Sequence, residues 1–150
     1  MCGELQVEIG CGNDKTEGFV GIDNSENSDA DIVRDLRDGL PFCSNSTKHI
    51  KANSVLEHFS NDDFIKIMKE CHRILIDGGI LEGIVPYGED LIAIKDPTHQ
   101  RFFARETFSY FSPKSPKQKL YNLPAFETLD CHLEGESGKR EIYFTLKAIK

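Results

Sequence analysis

At 150 residues the chain has the size of one domain and is expected to bury roughly two-thirds of its surface on folding. Its 39% hydrophobic and 29% charged residues fit an ordinary globular protein, and a formal net charge of -7 argues against nucleic acid as a main partner, because a phosphate backbone would repel it. The one basic cluster, Lys114, Lys117 and Lys119, reads as a solvated loop. No apolar run approaches the roughly 20 residues that a membrane span requires, and no basic region followed by an apolar stretch opens the chain, so neither membrane nor export is expected and the cytoplasm is the default. Cys2, Cys11, Cys43, Cys71 and Cys131 are odd in number and none are paired at CxxC spacing; they read as free thiols of a reducing compartment, with no metal site.

No repeat, low-complexity tract or linker divides the sequence, and residues 1–150 are read as a single domain. Strand and helix signals alternate, which predicts a parallel α/β sheet. Leu5 to Ile9 is a short apolar run ending in Gly10-Cys11-Gly12, Phe19 to Ile22 is a second ending in Asp23, and Ala30 to Val33 is a weaker third ending near Asp35. His49 to Ala52 is a poor strand by composition and takes that assignment from its place in the series. Asn61 to Leu75 predicts an amphipathic helix with Phe64, Ile67, Met68, Cys71, Ile74 and Leu75 on one face. Ser60 would cap it, Asp62 and Asp63 would lie in its first turn, and Gly78-Gly79 would stop it. Ile80 to Val85 then reads as a buried strand closed by Pro86, and Arg105 to Phe111 as a short helix turning Phe108 and Phe111 inward. Two long strand patterns follow, Phe126 to Leu133 and Glu141 to Ile149, joined as a hairpin through Gly135-Glu136-Ser137-Gly138. The sheet should therefore begin parallel and finish with an antiparallel pair.

The glycine pair at Gly10 and Gly12 lets the chain turn sharply and lets a ligand approach the backbone, although a GxG alone also occurs in purely structural turns. Glu8, an acid inside an otherwise apolar strand, needs a partner: a salt bridge, a cap, or a cationic ligand beside it. S-adenosylmethionine (SAM), with an ammonium and a sulfonium, would suit it. Asp23 ends the next strand, where a carboxylate can accept both hydroxyls of a ribose; Asp23-Asn24-Ser25 is equally good turn chemistry. The gap from Gly12 to Asp23 is too short for the full helix that binds a pyrophosphate, and the third glycine of a dinucleotide fingerprint is absent. Both omissions count against a nicotinamide enzyme and are tolerable for a cofactor without phosphate.

Glu8-Ile9-Gly10-Cys11-Gly12, Gly21-Ile22-Asp23, Asp35-Leu36 with Leu40-Pro41-Phe42, and Asn53-Ser54-Val55-Leu56-Glu57-His58-Phe59 running into the amphipathic helix and Asp77-Gly78-Gly79 resemble class I SAM-dependent methyltransferases over roughly residues 4 to 86. Asp96-Pro97-Thr98-His99 with Arg101-Phe102-Phe103 is similar to a stretch in small bacterial members of the methyltransferase type 11 group, several of them associated with sugar or polysaccharide modification. The resemblance implies a Rossmann-like α/β sheet of strand order 3-2-1-4-5-7-6 with strand 7 antiparallel and the helix after strand 1 reduced or absent. It also implies SAM as cofactor and S-adenosylhomocysteine as product. Gly10, Cys11 and Gly12 would lie along the methionine part and ribose, Glu8 near the amino group, and Asp23 with Asn24 at the ribose hydroxyls. Asp35 would accept from the adenine amino group with the Leu36 backbone nearby, and Asn53 would line the methionine end. The chain begins at strand 1 with no preceding lid segment, so a partner subunit, such as a second copy in a homodimer, would close the site.

Methyl transfer from a sulfonium is an in-line displacement in which positioning the acceptor matters most and a base is optional. For a hydroxyl acceptor, histidine is the best base near neutral pH. His58 after strand 4 and His99 after strand 5 are the candidates, with Asp96 orienting His99 or binding substrate hydroxyls. The structural alternatives are that Glu57-His58 caps the region before Ser60 and that Asp96-Pro97-Thr98 is a turn. His49, His72 and His132 read as structural or exposed, and Phe102 and Phe103 as packing residues. The expected function is methyl transfer to a small-molecule or saccharide acceptor, with a non-catalytic SAM-binding or scaffold subunit as the alternative.

Overall fold

The computed structural model describes residues 4–150, and the predicted free thiol Cys2 lies outside them. Seven strands form one sheet: β1 (Leu5–Ile9), β2 (Val20–Asp23), β3 (Ile32–Val33), β4 (Thr47–Asn53), β5 (Leu75–Pro86), β6 (Phe126–Glu134) and β7 (Glu141–Ala148). Their spatial order is β3-β2-β1-β4-β5-β7-β6, as the resemblance implies. β1 to β5 pair in parallel, and β7 runs antiparallel to both β5 and β6.

The weak composition of β4 has a physical explanation. Its burial alternates, with Ile50 and Ala52 fully buried and Lys48 and Asn53 exposed. β7 alternates in the same way, with Ile142, Phe144, Leu146 and Ala148 inward. Parallel sheets are ordinarily covered by helices on both faces and then read as continuous apolar runs. Here the β1–β2 and β2–β3 connections carry no helix among the described residues, so one face of the sheet stays polar. The other face packs against α1 (Asn61–Ile74), whose Phe64, Ile67, Met68, Cys71 and Ile74 join Val7, Ile9, Ile50 and Leu81 in the core.

Ser60 caps α1, its side chain accepting from the Asp63 N–H, with Asp62 and Asp63 favourably placed at the positive end of the helix. The helix does not run to Gly78-Gly79. It ends at Ile74, and Leu75 turns extended while its N–H still reaches the Cys71 carbonyl. Leu75 at once pairs with Thr47, and the glycines sit in an irregularity of β5 before His49 meets Ile80. Tertiary pairing of a buried leucine stops this helix before the glycines are needed.

Arg105–Phe111 forms a 3-10 helix, a tighter winding in which positions three apart eclipse one another. Phe108 and Phe111 therefore point the same way, and both are buried. Phe108 stacks on Phe144 with ring centroids 4.3 Å apart and on Phe103 at 5.8 Å. Phe103 is core, whereas Phe102 is exposed. His72 donates from Nε2 to the Ile149 carbonyl, His49 faces Glu82, and His132 lies between Asp130 and Glu134, all structural partners.

Candidate active site

The glycine turn leaves β1 at the carboxyl end of the sheet, where ligands bind in open α/β folds. Gly10 and Gly12 both adopt left-handed backbone, with φ of +65° and +54°. The Gly10 N–H donates to the Ile22 carbonyl at 2.7 Å, which pins the turn to β2. A Cβ on Gly10 would stand 2.4 Å from Val55 Cγ2, so the turn abuts the segment after β4. At Gly12 a Cβ would meet nothing within 4 Å; the backbone there is bare and open to a ligand.

Asp23 makes the turn contacts that its position suggests. One carboxylate oxygen accepts from the Gly12 N–H at 3.0 Å and the other from the Ser25 N–H at 2.9 Å. Each oxygen keeps a lone pair for a further donor. Glu8 is buried, and its Oε2 accepts from the Thr16 N–H at 2.6 Å. It caps the loop that replaces the missing helix, which is the structural partner that its burial demands.

Gly10, Asp23, Asn24, Asp35 and Leu36 line one cleft of about 400 Å³, within the size range of small-molecule sites. Asp35 caps the 3-10 helix Leu36–Asp38, accepting from the Arg37 N–H, and its carboxylate also pairs with the Arg37 guanidinium at 2.6 Å. That contact and the backbone bond hold the Asp35 carboxyl below its ordinary value. Cys11 is buried beneath the turn against Gly21, outside the residues that line the cleft. Asn53 is exposed and lies with Lys51 and Glu82 in a separate groove on the polar sheet face, because the alternation of β4 turns it away from the cleft. Ser54 and Val55 line the cleft in its place. Ser54 has φ of +52°, a strained conformation for a residue with a side chain, held by its N–H on the Ile84 carbonyl. Nothing in residue type signals that backbone.

A second, polar pocket of about 260 Å³ adjoins the cleft, lined by Glu57, His58, Asp96, His99 and Glu141 among others. His58 and Ser54 border both spaces. The structure brings the three predicted catalytic residues together across 40 positions of sequence. His58 Nδ1 lies 3.0 Å from the Thr98 hydroxyl, which donates to Asp96 Oδ1 at 2.6 Å. His99 Nδ1 lies 2.8 Å from the Ala93 carbonyl, and its Nε2 is 3.6 Å from Asp96 Oδ2. Asp96-Pro97-Thr98 is also the predicted turn, with the Thr98 N–H on Asp96. Glu57 does not cap the segment before Ser60; its side chain is 3% exposed and points inward. Burial pushes its carboxyl up to about 7, with Glu141 and Asp96 adding to the rise and His99 opposing it.

The sequence profile of a family described as methyltransferase domain matches residues 7–82, half of the chain. The chain belongs to this methyltransferase family. Solved structures share its fold at low identity. A SAM-dependent methyltransferase from Methanosarcina mazei superposes with a TM-score of 0.68 at 15% identity, covering 97% of this chain and 92% of its own. One from Archaeoglobus fulgidus gives 0.66 at 14%, covering 97% and 86%, and one from Aquifex aeolicus 0.64 at 13%, covering 99% and 84%. No curated protein matches the chain. By family and fold it is a class I SAM-dependent methyltransferase, an enzyme whose cofactor is SAM. The free lone pairs of Asp23 and a cleft walled by Asp23 and Asp35, with Arg34 beside them, fit a nucleoside without phosphate; Gly12 has a bare backbone but is not among the residues that line the cleft. Among the described residues no helix is long and apolar enough to cross a membrane.

Proposed function

We propose that residues 1–150 act as one methyltransferase domain that methylates a hydroxyl of a small, saccharide-type acceptor. The carrying observation is the juxtaposition of two spaces: a cleft at the glycine turn and a polar pocket beside it, with His58 bordering both. In this proposal Asp23 receives the ribose hydroxyls, Asp35 and Leu36 flank the adenine, and the turn at Gly10 and Gly12 carries the rest of the nucleoside. Glu8 acts through the loop it caps. Bound there, SAM supplies a methyl group already activated by its sulfonium and leaves as S-adenosylhomocysteine.

The pocket's acids and imidazoles suit an acceptor rich in hydroxyls, each of which needs an oxygen or nitrogen to receive its proton. Thr98 spends its only proton on Asp96, so a neutral His58 donates from Nδ1 and leaves Nε2 free. The same holds for His99, whose Nδ1 donates to the Ala93 carbonyl. Either Nε2 can accept the acceptor's proton as its oxygen attacks the methyl carbon in line with the departing sulfur. The four described cysteines, all free thiols, support the cytoplasm as its compartment.

Calorimetric titration with SAM and S-adenosylhomocysteine, followed by radiolabelled methyl transfer to a panel of free and nucleotide-linked sugars, tests the proposal. Binding of both nucleosides and labelling of a hydroxylated acceptor is the expected result. Labelling confined to amine or thiol acceptors would overturn the acceptor class, and binding without transfer to any acceptor would favour a non-catalytic SAM-binding subunit.

A further inference from the structure

We propose that Glu57, His58 and His99 form a binding site for a divalent transition-metal ion in the polar pocket. One donor atom from each of these three residues lies within 4.8 Å of the others. The hydrogen bonds around them are those that prepare imidazoles for a metal. Histidine ligands almost always commit one ring N–H to a carbonyl, carboxylate or similar acceptor, which fixes the tautomer and directs the other nitrogen at the ion. His99 does this through the Ala93 carbonyl, and His58 through the Thr98 hydroxyl backed by Asp96. Two unprotonated Nε2 atoms are left, one on each ring, with ring centroids 5.0 Å apart.

Their present partners are poor. His58 Nε2 is 3.9 Å from Glu57 Oε1 and His99 Nε2 is 3.6 Å from Asp96 Oδ2, both too long for hydrogen bonds. Glu57 is 2% exposed, and its Oε2 is buried with no hydrogen-bond partner. A buried carboxyl oxygen without a partner, beside two imidazole nitrogens too far from any acid for hydrogen bonds, is a ligand set that a cation can draw together, displacing the proton that burial favours on Glu57. An ordinary acid–histidine pair would have closed to about 3 Å.

The scaffold is rigid where it must be. The Glu57 carbonyl accepts from the Gln100 N–H at 2.8 Å and the Arg101 N–H at 3.1 Å, so the loop bearing His99 is tied to the backbone of Glu57. Donors about 2.1 Å from a tetrahedral ion stand about 3.4 Å apart, so ligands now within 4.8 Å of one another would draw closer on binding. Two imidazoles and a carboxylate suit Zn, Co, Mn or Fe, and three protein ligands leave coordination positions open. The ion's role rests on the methyltransferase reading: the open positions would take the acceptor hydroxyl, and the ion, replacing the imidazole base, would lower the hydroxyl's pKa so that its proton passes to bulk water before the oxygen attacks the methyl carbon.

Titration of the chelator-stripped full chain with Co²⁺, read by calorimetry and visible absorption, tests the site without any catalytic assay. One ion per chain is expected, with affinity falling at least tenfold in Glu57→Gln and in His99→Gln. His58 is 38% exposed, so His58→Gln carries the same expectation where a buried substitution reduces the folded fraction. Absence of saturable uptake, or uptake undiminished in the folded variants, overturns the site. S-adenosylhomocysteine titration on the same samples separates the claims: nucleoside binding without Co²⁺ removes the metal site and leaves the methyltransferase reading standing, and the reverse pattern does the opposite. Transfer unaffected by metal stripping would overturn the acceptor-holding role.

Discussion

Gly10 and Gly12 share a left-handed backbone but differ in what surrounds them, so replacing each by alanine separates conformational strain from packing. Left-handed φ costs a residue with a Cβ about 1–2 kcal/mol, and this is the whole expected stability loss for Gly12→Ala, whose new Cβ meets nothing. In Gly10→Ala the Cβ would stand 2.6 Å from Val55 Cβ as well as 2.4 Å from its Cγ2. Rotating Val55 moves the methyl groups but not Cβ, so the backbone itself must shift, and overpacking adds about 1–3 kcal/mol. The total for Gly10→Ala is about 2–5 kcal/mol. Equilibrium unfolding in urea, followed by circular dichroism, reads both values. S-adenosylhomocysteine affinity should fall at least tenfold in Gly12→Ala despite its milder stability loss, because the methyl group fills the bare space above the turn. Equal stability losses in the two variants would refute the role given to the Val55 contact, and full nucleoside affinity in folded Gly12→Ala would refute the approach of the ligand to that backbone.

Glu8→Ala should lower stability by about 1–3 kcal/mol by leaving the Thr16 N–H without its acceptor, and Glu8→Gln, which keeps an oxygen, should recover most of it in the same unfolding assay. Asp90 is held by the Arg140 guanidinium and by the N–H groups of Arg140 and Gly138, which lower its carboxyl from 3.8 to about 2. A depressed carboxyl contributes stability that is fully present above the unfolded value and lost as pH falls through the folded one; the stability gap between wild type and Asp90→Asn should therefore be complete above about pH 4 and close towards pH 2 in a pH series of urea melts. Cys43 is exposed, whereas burial pushes the Cys71 thiol up to about 12, so a thiol reagent should label Cys43 promptly and Cys71 only on unfolding, as peptide mass spectrometry would show.

Much of the fold was legible because its signals are local. Leu5 to Ile9 and the apolar stripe of Asn61 to Ile74 each carry a clean period, and the strand order followed from a resemblance resting on short motifs beside them. β4 was hard to read because one sheet face lacks its helices, which turns a buried parallel strand into an alternating one. The same alternation turns Asn53 away from the cleft, a consequence that residue type does not carry. Glu8 announced that it needed a partner, but whether a loop N–H or a ligand supplied it depends on how residues 10–19 close. The pairing of His58 with Thr98 and the backbone bonds from Gln100 and Arg101 to Glu57 span some 40 residues and belong to tertiary structure alone. The strain at Ser54 likewise has no sequence signature.

The seat for the adenosyl group at the glycine turn carries the whole functional account, and a crystal structure with S-adenosylhomocysteine tests it most directly. The ribose hydroxyls should lie within hydrogen-bond distance of the Asp23 carboxylate, with the base beside Asp35 and Leu36 and the sulfur facing His58. Clear density for the nucleoside elsewhere on the chain, with Asp23 still bonded only to Gly12 and Ser25, would contradict it.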